Sequence, residues 1–235
     1  LPEFARNNEL KLVIVGGEIM SPEILSLWQQ TPLNSIRLIN AYGPTETTIT
    51  TTSFEITDHF EEKKDVHRIP IGRPLANRTA YILDAFKKPV PIGVPGELHV
   101  GGSGLARGYL NNPDLTRERF INNPFSEEAN SRLYKTGDLA CWLPDGNIEF
   151  LGRVDDQVKI RGFRIEPGEI EVVLERNPYI RESAVIVNET AKEEKHLVAY
   201  VVMLEGYDLQ NTELRQFLKE RLPDYMIPSF FVEMD

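Results

Sequence analysis

Gly43-Pro44-Thr45-Glu46 sets a hydroxyl and a carboxylate directly after a glycine–proline pair, at the end of the run Asn40-Ala41-Tyr42. Gly-Pro makes a tight loop in which backbone can come close to a bound group. Thr45 offers a hydroxyl to an anionic oxygen, and Glu46 offers the hard oxygen that Mg2+ takes beside phosphate oxygens. Alone, such a heptapeptide is more often a loop with a solvated glutamate. A second carboxylate, Asp138, stands just past a glycine turn in Tyr134-Lys135-Thr136-Gly137-Asp138-Leu139. It can accept from two vicinal hydroxyls, each charge-assisted bond contributing roughly 1.5–3 kcal/mol. The bland alternative is an Asp capping a turn through Gly137. Arg153 has the same two readings: a contact to an oxygen-rich ligand, or the partner of a nearby acid such as Asp155.

The glycine-rich stretch Gly101–Gly108 tests another chemistry. A dinucleotide fingerprint needs G-x-G-x-x-G opening a helix. Here Gly102-Ser103-Gly104-Leu105-Ala106 is followed by Arg107 where the third glycine should stand, and residues 108–113 read as a turn. These glycines are read as shaping a barrel, with Arg107 as a structural or site-lining charge.

The elements that must hold these residues fall into three textures. Residues 11–15 read as a buried strand meeting the Gly16-Gly17 turn, followed by a helix from the Ser21-Pro22 cap to about Gln29. Residues 35–39 read as a second strand that delivers Asn40–Gly43 to its carboxyl end. Strand–helix–strand order predicts a parallel pair in an α/β layer, where ligands sit beyond the strand ends. From residue 50 to about 151, short β-prone runs at 80–83, 97–100, 139–143 and 147–151 predict a twisted sheet or distorted barrel. Asp145-Gly146 is a strong hairpin signal, and the charged stretch 58–65 reads as an exposed loop. Beyond Arg153, a helix from Pro167, strands at 183–187 and 196–203, and a helix over 211–222 make an α+β unit. Asn211 or Thr212 is read as capping that helix, and Pro223 as ending it. The boundary is placed at Val154-Asp155.

The 235 residues carry a net charge of −10 with basic and acidic residues interspersed, which argues against a nucleic-acid partner. Cys141 is the only cysteine, so no intrachain disulfide forms and a reducing, cytoplasmic setting fits. Its apolar flanks read as those of a buried thiol rather than a nucleophile. The four histidines show no metal-ligand spacing, and no apolar run approaches a membrane span. Asn77-Arg78-Thr79 and Asn188-Glu189-Thr190 are read as chance sequons.

Taken in order, Asn40–Glu46, Gly96–Leu110, Tyr134–Leu139, Gly152–Gly162 and Leu222–Pro228 resemble core motifs of amino-acid adenylation domains of nonribosomal peptide synthetases, in the adenylate-forming superfamily. The resemblance implies residues 1–154 as the later part of a large α/β domain with a barrel-like subdomain. It implies residues 155–235 as most of a small, mobile α+β domain. Its chemistry joins an amino acid to ATP as aminoacyl-AMP with Mg2+, then transfers the aminoacyl group to the phosphopantetheine thiol of a peptidyl carrier domain beside other synthetase domains. By resemblance Thr45 contacts phosphate, Glu46 binds the metal, Tyr42 lies against the adenine ring, and Gly43 lies against the nucleotide. Asp138 takes the ribose, Arg153 the ribose or phosphate, Asp155 is a hinge, and Gly162 lies in a loop passing the pantetheine arm. Pro167 departs from the family's usual leucine, harmlessly at a first helical turn.

Ile14, Gly16, Ala41, Ile49 and Thr50 fall at positions that line the family's side-chain pocket. None is charged and two are very small, which implies an aromatic or large aliphatic substrate. A phosphate loop ending in Lys-Gly and a terminal Asn-Gly-Lys have no counterpart here, so the chain is read as an excerpt inactive by itself. An acyl-CoA or aryl-acid ligase, or a non-catalytic module contacting a carrier domain, are the alternatives.

Overall fold

The structure, a computed structural model, describes residues 10–56, 68–189, 195–208 and 210–234. Residues 58–65, read from sequence as a charged loop, lie outside them. The chain divides into two compact units, Leu1–Val154 and Asp155–Asp235.

In the first unit, β1 (Leu12–Gly16), α1 (Pro22–Gln29) and β2 (Arg37–Tyr42) form a crossover with β1 and β2 parallel. Ser21 Oγ accepts from the Ile24 amide at 3.4 Å, the N-cap that the Ser-Pro pair predicts. Along β2, Leu38, Asn40 and Tyr42 are buried, while Arg37, Ile39 and Ala41 face the other way. β3 (Thr52–Ile56) pairs antiparallel with β2, and β4 (Arg73–Pro74) closes the order β1-β2-β3-β4. The expectation that β1 is buried fails. It is an edge strand paired on one side among the described residues, and Ile14 is 60% exposed.

The second sheet is antiparallel throughout. It contains β5 (Arg78–Leu83), β6 (Gly96–Gly102), β7 (Phe120–Asn122), β8 (Arg132–Trp142) and β9 (Ile148–Arg153), in the order β5-β6-β8-β7 with β9 also on β8. β8 corrects the reading of Asp138 as lying past a turn. The strand runs straight through it, and Gly137, at φ 73°, sits where the register with β6 shifts, between the Lys135–His99 and Leu139–Glu97 pairs. A bulge needs one residue in a left-handed conformation, and glycine supplies it cheaply. The Asp145-Gly146 hairpin joins β8 to β9, with Leu143 N donating to Asn147 O at 2.8 Å. After the 108–112 turn comes α2 (Pro113–Arg119), which the sequence reading missed although Asn112-Pro113 repeats the cap logic of Ser21-Pro22. Asn112 Oδ1 accepts from the Leu115 amide at 3.1 Å.

Tyr42, Ile71, Ile82, Leu98, Val100, Ala140 and Ile148 form one core, so the end of β2 is packed among residues of the second sheet. The two sheets are also stitched at Gly72 and Ile148, where Ile148 N donates to Gly72 O at 2.9 Å.

The second unit has its own core, including Ile165, Ile170, Leu174, Ala199, Val201 and Leu218. A hairpin, β10 (Val158–Ile160) with β11 (Phe163–Ile165), turns through Arg161 and Gly162 at φ 52° and 79°. Two consecutive positive φ values are what a two-residue type I′ turn requires. α3 (Pro167–Leu174) and α4 (Asn211–Lys219) contribute to that core together with the sheet β12 (Ile180–Glu189), β13 (Lys195–Met203) and β14 (Phe230–Met234). β14 runs parallel to β13. Pro167 begins α3, as its position predicts. α4 differs from its sequence reading at both ends. Gln210 is the cap, without a side-chain bond, so Asn211 and Thr212 lie inside the first turn. Arg221 N donates to Leu218 O at 2.9 Å, so the last turn tightens before Pro223 and the helix stops at Lys219.

Two glycines separate the costs of backbone strain and of collision. Gly146 has φ 81° with its nearest neighbour 3.5 Å from a would-be Cβ, whereas at Gly72, φ 84°, the Cβ would fall on the Ser53 carbonyl. Gly146→Ala should therefore cost about 1–2 kcal/mol, the left-handed penalty alone. Gly72→Ala should cost distinctly more, because a paired backbone must also move. Urea unfolding of the two variants checks the order.

Candidate active site

The loop between β2 and β3 is closed tightly. Thr51 N donates to Tyr42 O at 2.7 Å, and a Cβ on Gly43 would lie 2.5 Å from Ile49 O and 2.7 Å from Thr51 N. Only glycine permits that approach. Residues Thr45–Thr47 form a single 3₁₀ turn, with Thr47 N donating to Pro44 O at 3.0 Å. Thr48 and Ile49 follow at φ 58° and 62°, two β-branched residues in a left-handed conformation. Such strain persists where surrounding contacts impose it. Here they do: Thr48 Oγ1 donates to Gly104 O at 2.7 Å, and Ala106 N donates to Glu46 O at 2.8 Å.

Within this loop Thr45 is exposed, while Glu46 is only 8% exposed. The Glu46 carboxylate accepts from the Tyr109 hydroxyl at 2.7 Å through Oε1. Burial first, then Tyr134 and Glu46, push the Tyr109 phenol above its ordinary value. Gly104, in the glycine-rich stretch, lies under the Arg78 guanidinium, which occupies the space where any Cβ would go. Arg132 donates to Ala106 O and Arg107 O, each at 2.9 Å. These glycines are thus positioned by arginines and by the Glu46 loop.

Asp138, 5% exposed, is the centre of a second group. Arg153 Nη1 donates to Oδ1 at 2.6 Å, and the Tyr42 hydroxyl donates to Oδ2 in a short bond. Arg153 also donates to Thr136 O at 3.2 Å, while Thr136 Oγ1 accepts from the Asp138 amide at 3.0 Å. Burial, followed by the Asp138 charge, holds the Tyr42 phenol well above its usual range. Arg153 pairs with Asp138, an acid brought to it across β8 and β9. Tyr42, 8% exposed, packs among buried residues of the second sheet.

Of the side-chain pocket candidates, Ile14, Gly16 and Ala41 share one sheet face, since Gly16 pairs with Ala41 and a Cβ on Gly16 would strike Ala41 O. Ile49, 78% exposed, and Thr50 lie on the loop. Asp155 and Gly162 belong to the second unit. Asp155 Oδ1 accepts from Gln157 N at 3.3 Å, and Gly162 is the second turn residue of the β10–β11 hairpin. Cys141 is buried, and burial, then Glu149, push its thiol up. Sequence reasoning missed Tyr109, Thr136, Arg132 and Arg78, whose partners lie tens of residues away or across a strand bulge.

Residues 2–110 match the family described as AMP-binding enzyme, and residues 169–235 match the AMP-binding enzyme C-terminal domain. The chain belongs to the AMP-binding enzyme family. Tyrocidine synthase 3 of Brevibacillus parabrevis is 50% identical over 97% of the chain and 3% of its own length. Bacitracin synthase 1 of Bacillus licheniformis is 46% identical over 97% of the chain and 4% of its own length. Among solved structures, an NRPS protein containing adenylation and PCP domains gives a TM-score of 0.79 at 30% identity, over 97% of this chain and 44% of that one. The Vibrio cholerae adenylation domain AlmE, in complex with glycyl-adenosine-5'-phosphate, gives 0.80 at 27% identity, over 96% and 41%. The AMP-binding chain thus spans a few per cent of these curated relatives and under half of these solved chains. No helix among its described residues is long and apolar enough to cross a membrane.

One buried titratable group of this AMP-binding chain lies beside the second group of site residues. His99 Nδ1 is 3.0 Å from Glu97 O, and its Nε2 has no hydrogen-bond partner among the described residues. Glu97 Oε1 accepts from the Gly137 amide at 3.2 Å, one residue from Asp138. Burial lowers the His99 basicity, Glu97 opposes this, and Lys135 and Lys87 reinforce it. The unfolded chain therefore takes up a proton near pH 6.5 that the folded state accepts only at lower pH. This contribution to stability is complete above pH 6.5 and declines as pH falls through the lowered folded value. Denaturant unfolding should show His99→Gln losing less stability than wild type between pH 7 and about pH 5, whatever its starting value.

Proposed function

We propose that the protein containing this chain activates an amino acid with ATP and passes the aminoacyl group to a carrier-domain phosphopantetheine thiol. The observation that carries the reading is the pair of buried carboxylates, Glu46 and Asp138, set in motifs of an AMP-binding chain and held by dedicated donors. In the first step a substrate carboxylate oxygen attacks the α-phosphorus of ATP. The α–β phosphoanhydride bond breaks and pyrophosphate leaves. In the second step the thiolate attacks the aminoacyl carbonyl, a thioester forms, and AMP leaves.

Hard oxygen donors at the first group suit Mg2+. Glu46 supplies one buried carboxylate and Thr45 an exposed hydroxyl, and no cluster of three His, Cys, Asp or Glu that could hold a metal occurs among the described residues. One carboxylate with phosphate and water oxygens is a common Mg2+ pattern. When bound, the ion neutralises charge on the phosphates as two anions approach. Thr45 contacts a phosphate oxygen, and Glu46 holds the metal. Asp138 receives the ribose hydroxyls at the oxygens that also accept from Tyr42 and Arg153, a carboxylate having about four lone-pair sites. Arg153 contacts the ribose or phosphate, and Gly43 keeps backbone close to the nucleotide.

Ile14, Gly16, Ala41, Ile49 and Thr50 favour an aromatic or large aliphatic amino acid, since none of them can pair a buried charge. Asp155 acts as the hinge that separates the two half-reactions, and Gly162 lies in the loop that admits the pantetheine arm.

Amino-acid-dependent pyrophosphate exchange by the whole protein tests the reading. Exchange is expected with Phe, Tyr or Leu, and Glu46→Gln should lower it by about 100-fold or more with folding retained. Exchange supported only by an aryl or fatty acid, or unaffected by Glu46→Gln, would overturn it. Asp155→Pro, which fixes φ, should leave exchange near wild type while slowing thioester formation on the carrier domain. Equal losses in both half-reactions would remove the hinge assignment.

A further inference from the structure

Two anchors on Glu46 come from one short segment far away in sequence. Ala106 N donates to the Glu46 backbone oxygen at 2.8 Å, and three residues on, the Tyr109 hydroxyl donates to Glu46 Oε1 at 2.7 Å. The segment is itself held firmly. Arg132 bonds the carbonyls of Ala106 and Arg107, and its guanidinium carbon lies 5.3 Å from the Phe120 ring centroid. Tyr109 N donates to Thr116 Oγ1 at 2.9 Å, and its ring meets Phe120 edge-on with centroids 5.7 Å apart. Gly108, at φ 151°, packs so closely on Thr116 that a Cβ would overlap its side chain. Thr116 sits on α2, one turn from the Asn112 cap, and returns a bond to Asn112 O at 2.8 Å.

A glutamate that must ligate a cation loses rotamer freedom unless something has already fixed it. A cationic partner would fix it but would also compete with the metal. A phenol donates without carrying charge, so this contact orients the carboxylate and leaves its negative charge in place. A carboxylate has about four lone-pair sites, so the Tyr109 bond by itself does not saturate it.

We propose that Tyr109 is the positioning residue for Glu46, holding its carboxylate in the arrangement that receives the cation. The inference rests on the metal role proposed for Glu46. It extends the machinery to the segment 106–109 and to α2, which otherwise read as scaffold.

Tyr109→Phe keeps the ring contacts and removes the hydroxyl, which donates to Glu46 and lies 3.4 Å from the Tyr134 hydroxyl. In the whole protein, Mn2+ is titrated in the presence of a non-hydrolysable ATP analogue, and free Mn2+ is followed by electron paramagnetic resonance. Tyr109→Phe should weaken Mn2+ binding by about five- to tenfold, with a melting midpoint within about 4 °C of wild type. Glu46→Gln should weaken it further, and adding Tyr109→Phe to Glu46→Gln should change it by less than about twofold, because the tyrosine acts through the glutamate. Unchanged binding in Tyr109→Phe beside a weakened Glu46→Gln would overturn the positioning role alone. Unchanged binding in Glu46→Gln would overturn the metal assignment, and the positioning role with it. Equal weakening by Tyr109→Phe in both backgrounds, or a larger drop in melting midpoint, would show that the residue acts by another route.

Discussion

The first unit depends on how one buried carboxylate is paired. Asp138 is almost wholly removed from water, and an unpaired charge there would cost several kcal/mol. Arg153 and Tyr42 both donate to it, and they come from different elements. Tyr42 ends β2 of the first sheet, Asp138 lies inside β8, and Arg153 ends β9. The pairing therefore fixes the end of the first sheet against the second and places the last residue of β9 at the same point. Removing one partner of such a group commonly costs about 3–5 kcal/mol, because the other charge is left buried. The same network puts a potential ribose acceptor beside an arginine one residue from the end of the first unit.

The Glu46 loop shows how local strain is sustained by distant contacts. Thr48 and Ile49 would not adopt positive φ on their own. They do so because Gly43 brings the chain back on itself and because Gly104 and Ala106 accept and donate across to it. The glycine-rich stretch, which fails as a dinucleotide fingerprint, serves as the counter-surface of this loop. Arg78 over Gly104 and Arg132 on the 106–107 carbonyls hold that surface in place. Arginine suits both tasks, since its planar fork can lie on a glycine or bridge two carbonyls.

The second unit solves a simpler problem. Its helices and three-stranded sheet contribute to one apolar core, and the β10–β11 hairpin adds Ile165 to it. Phe163 stacks on Tyr225 with ring centroids 4.2 Å apart, so the hairpin that carries Gly162 is tied to the segment after α4. The turn itself needs the backbone freedom of Gly162, and the space around that glycine is open.

By itself the sequence determined whatever depends on neighbouring residues. Ser21-Pro22 set the start of α1, Asp145-Gly146 set a hairpin, Pro167 set the start of α3, and the run before Asn40 set the strand that delivers Glu46. Motif order and residue type were enough to name Glu46, Asp138 and Arg153 as candidates. Only the tertiary structure decided that Asp138 lies within a bulged strand, that Arg153 pairs with it, and that Tyr42 is a core residue. Tyr109 became visible in the same way, 63 residues from the glutamate it touches. The division has one physical cause. Caps and tight turns are settled by hydrogen bonds spanning a few residues, whereas the register of a sheet and the partner of a buried charge are settled by which distant segments exclude water together.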